Sequence, residues 1–382
     1  MNNEIYFYAI VLLVMYGYFY LEASNHEKNL RKLPLRIHVN GTRGKSSVTR
    51  LIAAGLGAGG YKVVGKTTGT EAKMIFPDGS EQYIKRKGPA NIIENISVIK
   101  QAVACGANAI VVECMAINPE LQKFCESRLI KSHIGVITNI RADHEDVMGD
   151  GLEKIAMALS NTIPENGKLV TTQEARTLLE PVIGGTEMFA VAGEQLDATY
   201  LQDFGYEIIP DNVAIALRVC ELAGVDVVVA IDGMRKATAD AGNLTITELM
   251  VSNKRVTIVN ALAANDPEST LWLWNHCMPL EGRAVVLLNC RSDRQYRTAQ
   301  LCKMLSSVHK GSFVVAGDRD FASSLLKKLC KESGEIYCLS DKPKFSELES
   351  IIEKCSEDRI IIFAAGNMKG LPQEFMGNLS GG

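Results

Sequence analysis

Gly41-Thr42-Arg43-Gly44-Lys45-Ser46-Ser47 is the stretch of this chain best suited to chemistry. It follows an apolar, strand-like run from Leu35 to Val39 and opens an apolar-periodic, helix-like run from Ser46 to Gly55. Strand, glycine turn and helix N-terminus together aim backbone N–H groups and a positive helix end at phosphate oxygens. A lysine at this place reaches the terminal phosphates, and the serine hydroxyl after it can hold Mg2+. The pattern predicts nucleotide binding by Gly41, Thr42, Arg43, Gly44, Lys45, Ser46 and Ser47, with Lys45 catalytic and Ser46 a metal ligand. The common form of this loop separates its glycines by four residues; here two separate them, leaving the shorter G-x-x-G-K-S.

Two further segments carry groups that such a site uses. Ala109-Ile110-Val111-Val112-Glu113 is an apolar strand ending in one carboxylate, which places Glu113 at the carboxyl edge of a parallel sheet, where ligands of such sheets collect. Ile137 to Asp150 is a strand running into a polar loop, in which His144 is flanked by Asp143, Glu145 and Asp146. These carboxylates can orient an imidazole or raise the local affinity for cations. Asn212, after Pro210-Asp211, opens an alanine-rich helix and is apt as an N-cap. Arg235, Arg291 and Arg294 are guanidinium groups of the kind that meet phosphates and carboxylates.

The short loop, the Ala109–Ala116 block and the Thr138-Asn139-Ile140 to Asp143-His144 block stand in the order found in the Mur-ligase family, which the chain resembles over nearly its whole length. The resemblance implies an ATP-dependent amide ligase in which Glu113 and His144 act in catalysis by holding Mg2+ ions. It also implies adenine contact by Asn212 and nucleotide contacts from Arg235, Asn260 and Asp266. Arg291 and Arg294 would reach the substrate from a domain that closes. Two departures narrow the match. The phosphate loop begins at residue 41, which leaves no room before it for a nucleotide-sugar domain. Leu159 stands near the place of the carbamylated lysine that holds the second metal in related ligases, and the nearest lysine is Lys154. These features, with the segment Thr67, Thr68 and Glu71 as substrate candidates, resemble the poly-γ-glutamate synthase branch. In that branch ATP phosphorylates the terminal carboxylate of the growing polymer, and the amine of the next glutamate attacks the acyl phosphate. Folylpolyglutamate is the alternative ligase substrate. A membrane-associated ATPase or switch is the alternative class; it calls for a strand ending in Asp or a base-recognition motif, whereas this strand ends in Glu113.

The elements that must position these groups alternate short apolar strands with helices, which predicts an α/β fold with a mostly parallel sheet. The expected organisation is an anchor helix over residues 1–27, a P-loop central domain over 28–259, and a smaller Rossmann-like C-terminal α/β domain over 260–382. Strands are expected at Leu35 to Val39, Ala109 to Val112, Ile134 to Ile137, Lys168 to Thr171 and Glu187 to Val191. Ile5 to Leu21 holds seventeen residues without a charge, framed by aromatic clusters. As a helix it would rise about 25 Å, near the lower limit for crossing a bilayer core. Lys28, Arg31, Lys32 and Arg36 follow it, so a single-pass anchor in the cell membrane would leave the catalytic domains cytoplasmic. A net charge of −3 gives no basic field for nucleic acid. Ten cysteines without a C-x-x-C pair read as buried thiols in a reducing compartment. The expected partners are glutamate, the poly-γ-glutamate chain and other membrane subunits of a synthase complex, and a homo-oligomer is left open.

Overall fold

Residues 2–69, 72–86, 88–206, 208–238, 244–264, 266–278, 281–330, 334–368 and 370–380 are described by a computed structural model. Glu71 lies outside these residues. The chain forms two compact units, Met1–Asp240 and Ala241–Gly382.

The first unit runs α1 (Asn2–Arg31), β1 (Leu35–Asn40), α2 (Lys45–Ala58), β2 (Val63–Thr67), β3 (Lys73–Ile75), β4 (Glu81–Tyr83), α3 (Glu94–Ala104) and β5 (Ala109–Glu113). It continues with α4 (Pro119–Phe124), β6 (Ile134–Ile137), α5 (Glu145–Met148), α6 (Leu152–Leu159), β7 (Lys168–Thr172), α7 (Gln173–Leu179), β8 (Glu187–Val191), α8 (Pro210–Leu222) and α9 (Val227–Arg235). The sheet order is β4-β3-β2-β5-β1-β6-β7-β8. Strands β2, β5, β1, β6, β7 and β8 pair in parallel, and β3 and β4 add an antiparallel edge.

Both faces of the central strands are covered, which is why they read as unbroken apolar runs rather than as alternation. Ala109 and Val111 of β5 face a core shared with Leu51 and Ile52 of α2, Val213 of α8 and Ile231 of α9. Ile110 and Val112 face the opposite core, with Val98 and Ile99 of α3. The register aligns Val39 with Glu113 and Asn40 with Ile137. The phosphate loop, Glu113 and the segment after Ile137 therefore leave the sheet at one carboxyl edge.

The N-terminal helix does not stop at residue 27 as expected but runs to Arg31. Its apolar residues from Ile5 to Leu21 are largely exposed, whereas Leu30 and, just past the helix, Leu33 are buried beside α3. His26 Nε2 lies 2.9 Å from the Leu129 carbonyl. By length and composition, Glu4–Arg31 is long and apolar enough to cross a membrane, with a mean hydropathy of 1.5 over its apolar window.

The second unit contains β9 (Thr245–Val251), β10 (Lys254–Asn260), α10 (Pro267–Cys277), β11 (Arg283–Cys290), α11 (Gln295–Val308), β12 (Ser312–Gly317), α12 (Arg319–Cys330), β13 (Ile336–Cys338), α13 (Phe345–Lys354), β14 (Arg359–Gly366) and α14 (Gln373–Ser380). Its sheet order is β13-β12-β11-β14-β10-β9, parallel except for β9. Helices α10, α11 and α12 cover one face, and α13 and α14 the other. The expected boundary after residue 259 is corrected to 240/241. Val256 and Ile258 of β10 fill one core of the second unit and Val259 fills the other, so this strand cannot belong to the first sheet.

Candidate active site

Two glycines set the shape of the phosphate loop. Gly41 has φ +131°, and a Cβ there would stand 2.1 Å from Thr138 Oγ1. Gly44 has φ +77° and caps the N-terminus of α2; a Cβ there would stand 2.8 Å from Asn212 Oδ1. Both positions combine a backbone conformation that favours glycine with close approach of another segment. Below the loop, Asn40 Nδ2 donates to Gln122 Oε1 at 2.9 Å and to Thr162 Oγ1 at 3.1 Å, which fixes the end of β1.

The loop is braced chiefly by the segment after β6. Asn139 Oδ1 accepts from Thr42 Oγ1 at 2.6 Å and from Arg43 N at 3.0 Å, while Asn139 Nδ2 donates to the Arg43 carbonyl at 3.2 Å. Thr138 Oγ1 donates to the same carbonyl at 2.5 Å. Arg43 reaches back to Asp143 Oδ2 at 3.2 Å. Asp143 in turn accepts from the His144 N–H at 3.1 Å, and its other oxygen lies 3.8 Å from His144 Nε2. His144 adopts φ +51° at the start of α5, and its ring is one-third exposed. Asp143, Asn139 and Thr138 brace the loop, a role that the sequence reading did not assign to them. The letters Thr-Asn and Asp-His were visible, but nothing local told that they grip a loop nearly a hundred residues away.

Glu113 is 2% exposed. Its Oε2 accepts from Ser46 Oγ at 2.8 Å and from the Thr68 N–H at 2.7 Å. Burial pushes this carboxyl above the usual range, with Lys45, Thr68 and Ser46 opposing the shift. Lys45 Nζ donates to the carbonyls of Gly41 at 2.7 Å and Thr42 at 3.3 Å. Burial lowers the Lys45 pKa, and the Glu113 charge partly restores it. A buried carboxylate and a serine hydroxyl are hard oxygen donors, a set that fits a divalent cation completed by water and phosphate oxygens.

The remaining sequence-selected residues divide. Ser47 lies in the first turn of α2; Thr67 is buried at the end of β2, and Thr68 contributes its backbone. Asn212 is not a cap: Ile209 and Pro210 begin α8, which leaves the Asn212 side chain against Gly44. Arg235, expected at the nucleotide, here donates its guanidinium to the carbonyls of Gln202 at 3.0 Å and Thr199 at 2.7 Å and pairs with Asp232. Leu159 is fully buried among apolar side chains, so that position supplies no metal ligand. Asn260, Asp266, Arg291 and Arg294 belong to the second unit. Asn260 ends β10, and Asp266 caps α10 by accepting from Ser269 N at 2.9 Å. Arg291 pairs with Asp293 at 2.6 Å, and Arg294 begins α11.

Residues 39–180 match the Mur ligase middle domain, and residues 246–381 match the poly-gamma-glutamate synthase CapB C-terminal domain. PGA synthase CapB of Bacillus subtilis is 37% identical over 364 residues, covering 92% of this chain and 91% of that protein. The capsule biosynthesis protein CapB of Bacillus anthracis is 38% identical over 314 residues, covering 80% of this chain and 67% of that protein. Among solved structures, a bifunctional folylpolyglutamate synthase/dihydrofolate synthase with Mn, AMPPNP and L-glutamate bound superposes with a TM-score of 0.68. It is 14% identical and covers 91% of this chain and 90% of that one, a likeness of fold.

Proposed function

Because this chain belongs to the poly-γ-glutamate synthase CapB family, ATP-dependent amide ligases of Mur-ligase fold, we propose that Lys45, Ser46, Glu113 and His144 carry γ-glutamyl transfer on a growing poly-γ-glutamate chain. ATP lies with its phosphates on the N–H groups of the loop and the start of α2. Its terminal phosphoryl group passes to the end carboxylate of the polymer, leaving ADP, and the amine of the next glutamate attacks the resulting acyl phosphate, forming the amide and releasing phosphate and a proton. Lys45 exchanges its loop carbonyls for phosphate oxygens and, with the loop amides, stabilises the charge spread over the phosphoryl group in flight. Ser46 and Glu113, with His144 nearby in the Asp143 loop, would hold Mg2+, which neutralises phosphate charge when bound. Asn139 and Thr138 keep the loop amides aimed, and Asn212 beside Gly44 is suited to contact the base. Helix α1 serves as a single-pass anchor that leaves the catalytic domains on the cytoplasmic side, beside membrane subunits that receive the polymer.

The observation that carries this reading is the buried Glu113 carboxylate joined to Ser46 of the phosphate loop at 2.8 Å. Membranes holding the protein and its partner subunits, given ATP, Mg2+ and labelled glutamate, should yield γ-linked polymer, and Lys45→Ala should yield none. Consumption of ATP with no amide product would instead favour an ATPase or switch.

A further inference from the structure

We propose that the cavity between the β3–β4 edge and α3 is a subsite for internal carboxylates of an acidic polymer, which on the reading above is the acceptor poly-γ-glutamate chain. The cavity measures about 600 Å3 and is lined by Tyr83, Lys85 and Arg86 on one side and by Glu94, Ser97 and Gln101 of α3 on the other. That volume falls in the range of pockets that enclose drug-sized ligands, and it suits a length of chain better than one amino acid.

Its charge balance decides the ligand. Among the described lining residues Glu94 is the one carboxylate, and two cations already hold it. Arg86 Nε and one terminal nitrogen donate to its two oxygens at 2.8 and 2.9 Å, and Lys66 Nζ lies 2.7 Å away. Lys66 is fully buried and also donates to Asn95 Oδ1 at 2.6 Å. Two positive charges on one negative leave a surplus of one, and exposed Lys85 adds another. The second terminal nitrogen of Arg86 takes no part in the Glu94 pair and can donate to an incoming carboxylate. A ligand with repeated carboxylates satisfies this lining, whereas a neutral or cationic one does not. The subsite also connects to the chemistry. Lys66 of β2, which pairs with the lining residue Glu94, stands two residues before Thr68, whose N–H donates to Glu113 at 2.7 Å. Two residues of strand span about 7 Å, a distance that one polymer chain bridges.

The test uses the full-length chain in detergent and a fluorescein-labelled poly-γ-glutamate oligomer, read by anisotropy across a salt series. Lys85→Glu should raise the dissociation constant roughly fivefold or more, the scale set by one lost exposed ion pair and one added repulsion. Gln101→Glu should move it the same way. Lys62→Glu, which makes the same charge change at the opposite end of β2, should leave it within about twofold. All three should bind AMPPNP with Mg2+ as the parent does and melt at the parent's temperature. Oligomer binding by Lys85→Glu and Gln101→Glu indistinguishable from the parent overturns the subsite. Polymer formation in the synthesis assay together with that result overturns the subsite alone. Lys85-dependent oligomer binding without amide synthesis keeps the subsite and removes the ligase reading.

Discussion

Replacing Asn139 with alanine isolates the brace on the phosphate loop from the loop itself. The substitution removes three hydrogen bonds, from Thr42 Oγ1, from Arg43 N and to the Arg43 carbonyl, at 2.6, 3.0 and 3.2 Å. The backbone contact from Thr42 N to the Asn139 carbonyl survives, and Thr138 Oγ1 still serves the Arg43 carbonyl. At about 1 kcal/mol net for each bond, the loss comes to roughly 2 to 3 kcal/mol, the lower figure allowing for the retained Thr138 contact. If that energy orders the loop for phosphate, affinity for AMPPNP with Mg2+ falls roughly 30- to 140-fold, since about 1.4 kcal/mol is a factor of ten. Titration calorimetry on parent and variant reads the affinity, and thermal melting checks that the fold persists. A folded variant whose affinity stays within about threefold of the parent refutes the reasoning, because the loop would then hold its shape without the brace.

Gly41→Ala should be more severe, since it combines φ +131° with a Cβ 2.1 Å from Thr138 Oγ1; it should abolish nucleotide binding and lower the melting temperature, and a variant that binds normally would show that the β1 edge yields easily. A buried pair behind the loop sets a pH dependence. Burial alone would lower the His38 pKa, but hydrogen bonds with Cys114, Cys125 and the Glu126 carboxylate, the last at 2.7 Å, outweigh it and hold the imidazole well above its ordinary 6.5. A raised pKa in the folded state gives stability that is complete below 6.5 and lost as pH rises through the folded value. Glu126→Gln should therefore be destabilised near about pH 6 and approach the parent as the pH rises; an equal gap in denaturant midpoint at both ends would contradict this. If α1 is the anchor, deleting residues 2–21 should move the protein from the membrane to the soluble fraction without changing its denaturation midpoint, because the side chains from Ile5 to Leu21 are largely exposed. Extending the deletion through Leu33 removes two buried leucines, at about 1.5 to 3 kcal/mol each, and should lower the midpoint clearly.

Much of this was legible in the sequence, wherever the signal lies within one element. The loop, its lysine and serine and the strand before it are a contiguous pattern, and so is the strand that ends in Glu113. The N-terminal helix needs only a count of uncharged residues. The expected C-terminal α/β domain also showed, because β10, β11, β12 and β14 are short apolar runs with both faces covered. The three-residue strands of the β3–β4 edge are too short for periodicity to register. Strand β9 alternates between exposed and half-buried positions, a pattern available in Thr245–Val251 but not selected, and with it went the domain boundary. Arg235 and Asn212 show the limit for single residues: a guanidinium near a helix end or an asparagine near a helix start reads equally well as ligand, brace or cap. Only tertiary structure chose between them, through which carbonyls surround Arg235 and which glycine Asn212 meets. The grip of Asn139 and Asp143 on the loop arises the same way. Parallel pairing of β1 with β5 and β6 joins segments far apart in the chain, and the free energy that fixes this register is spread over the buried faces of many strands and helices rather than written at the residues it brings together.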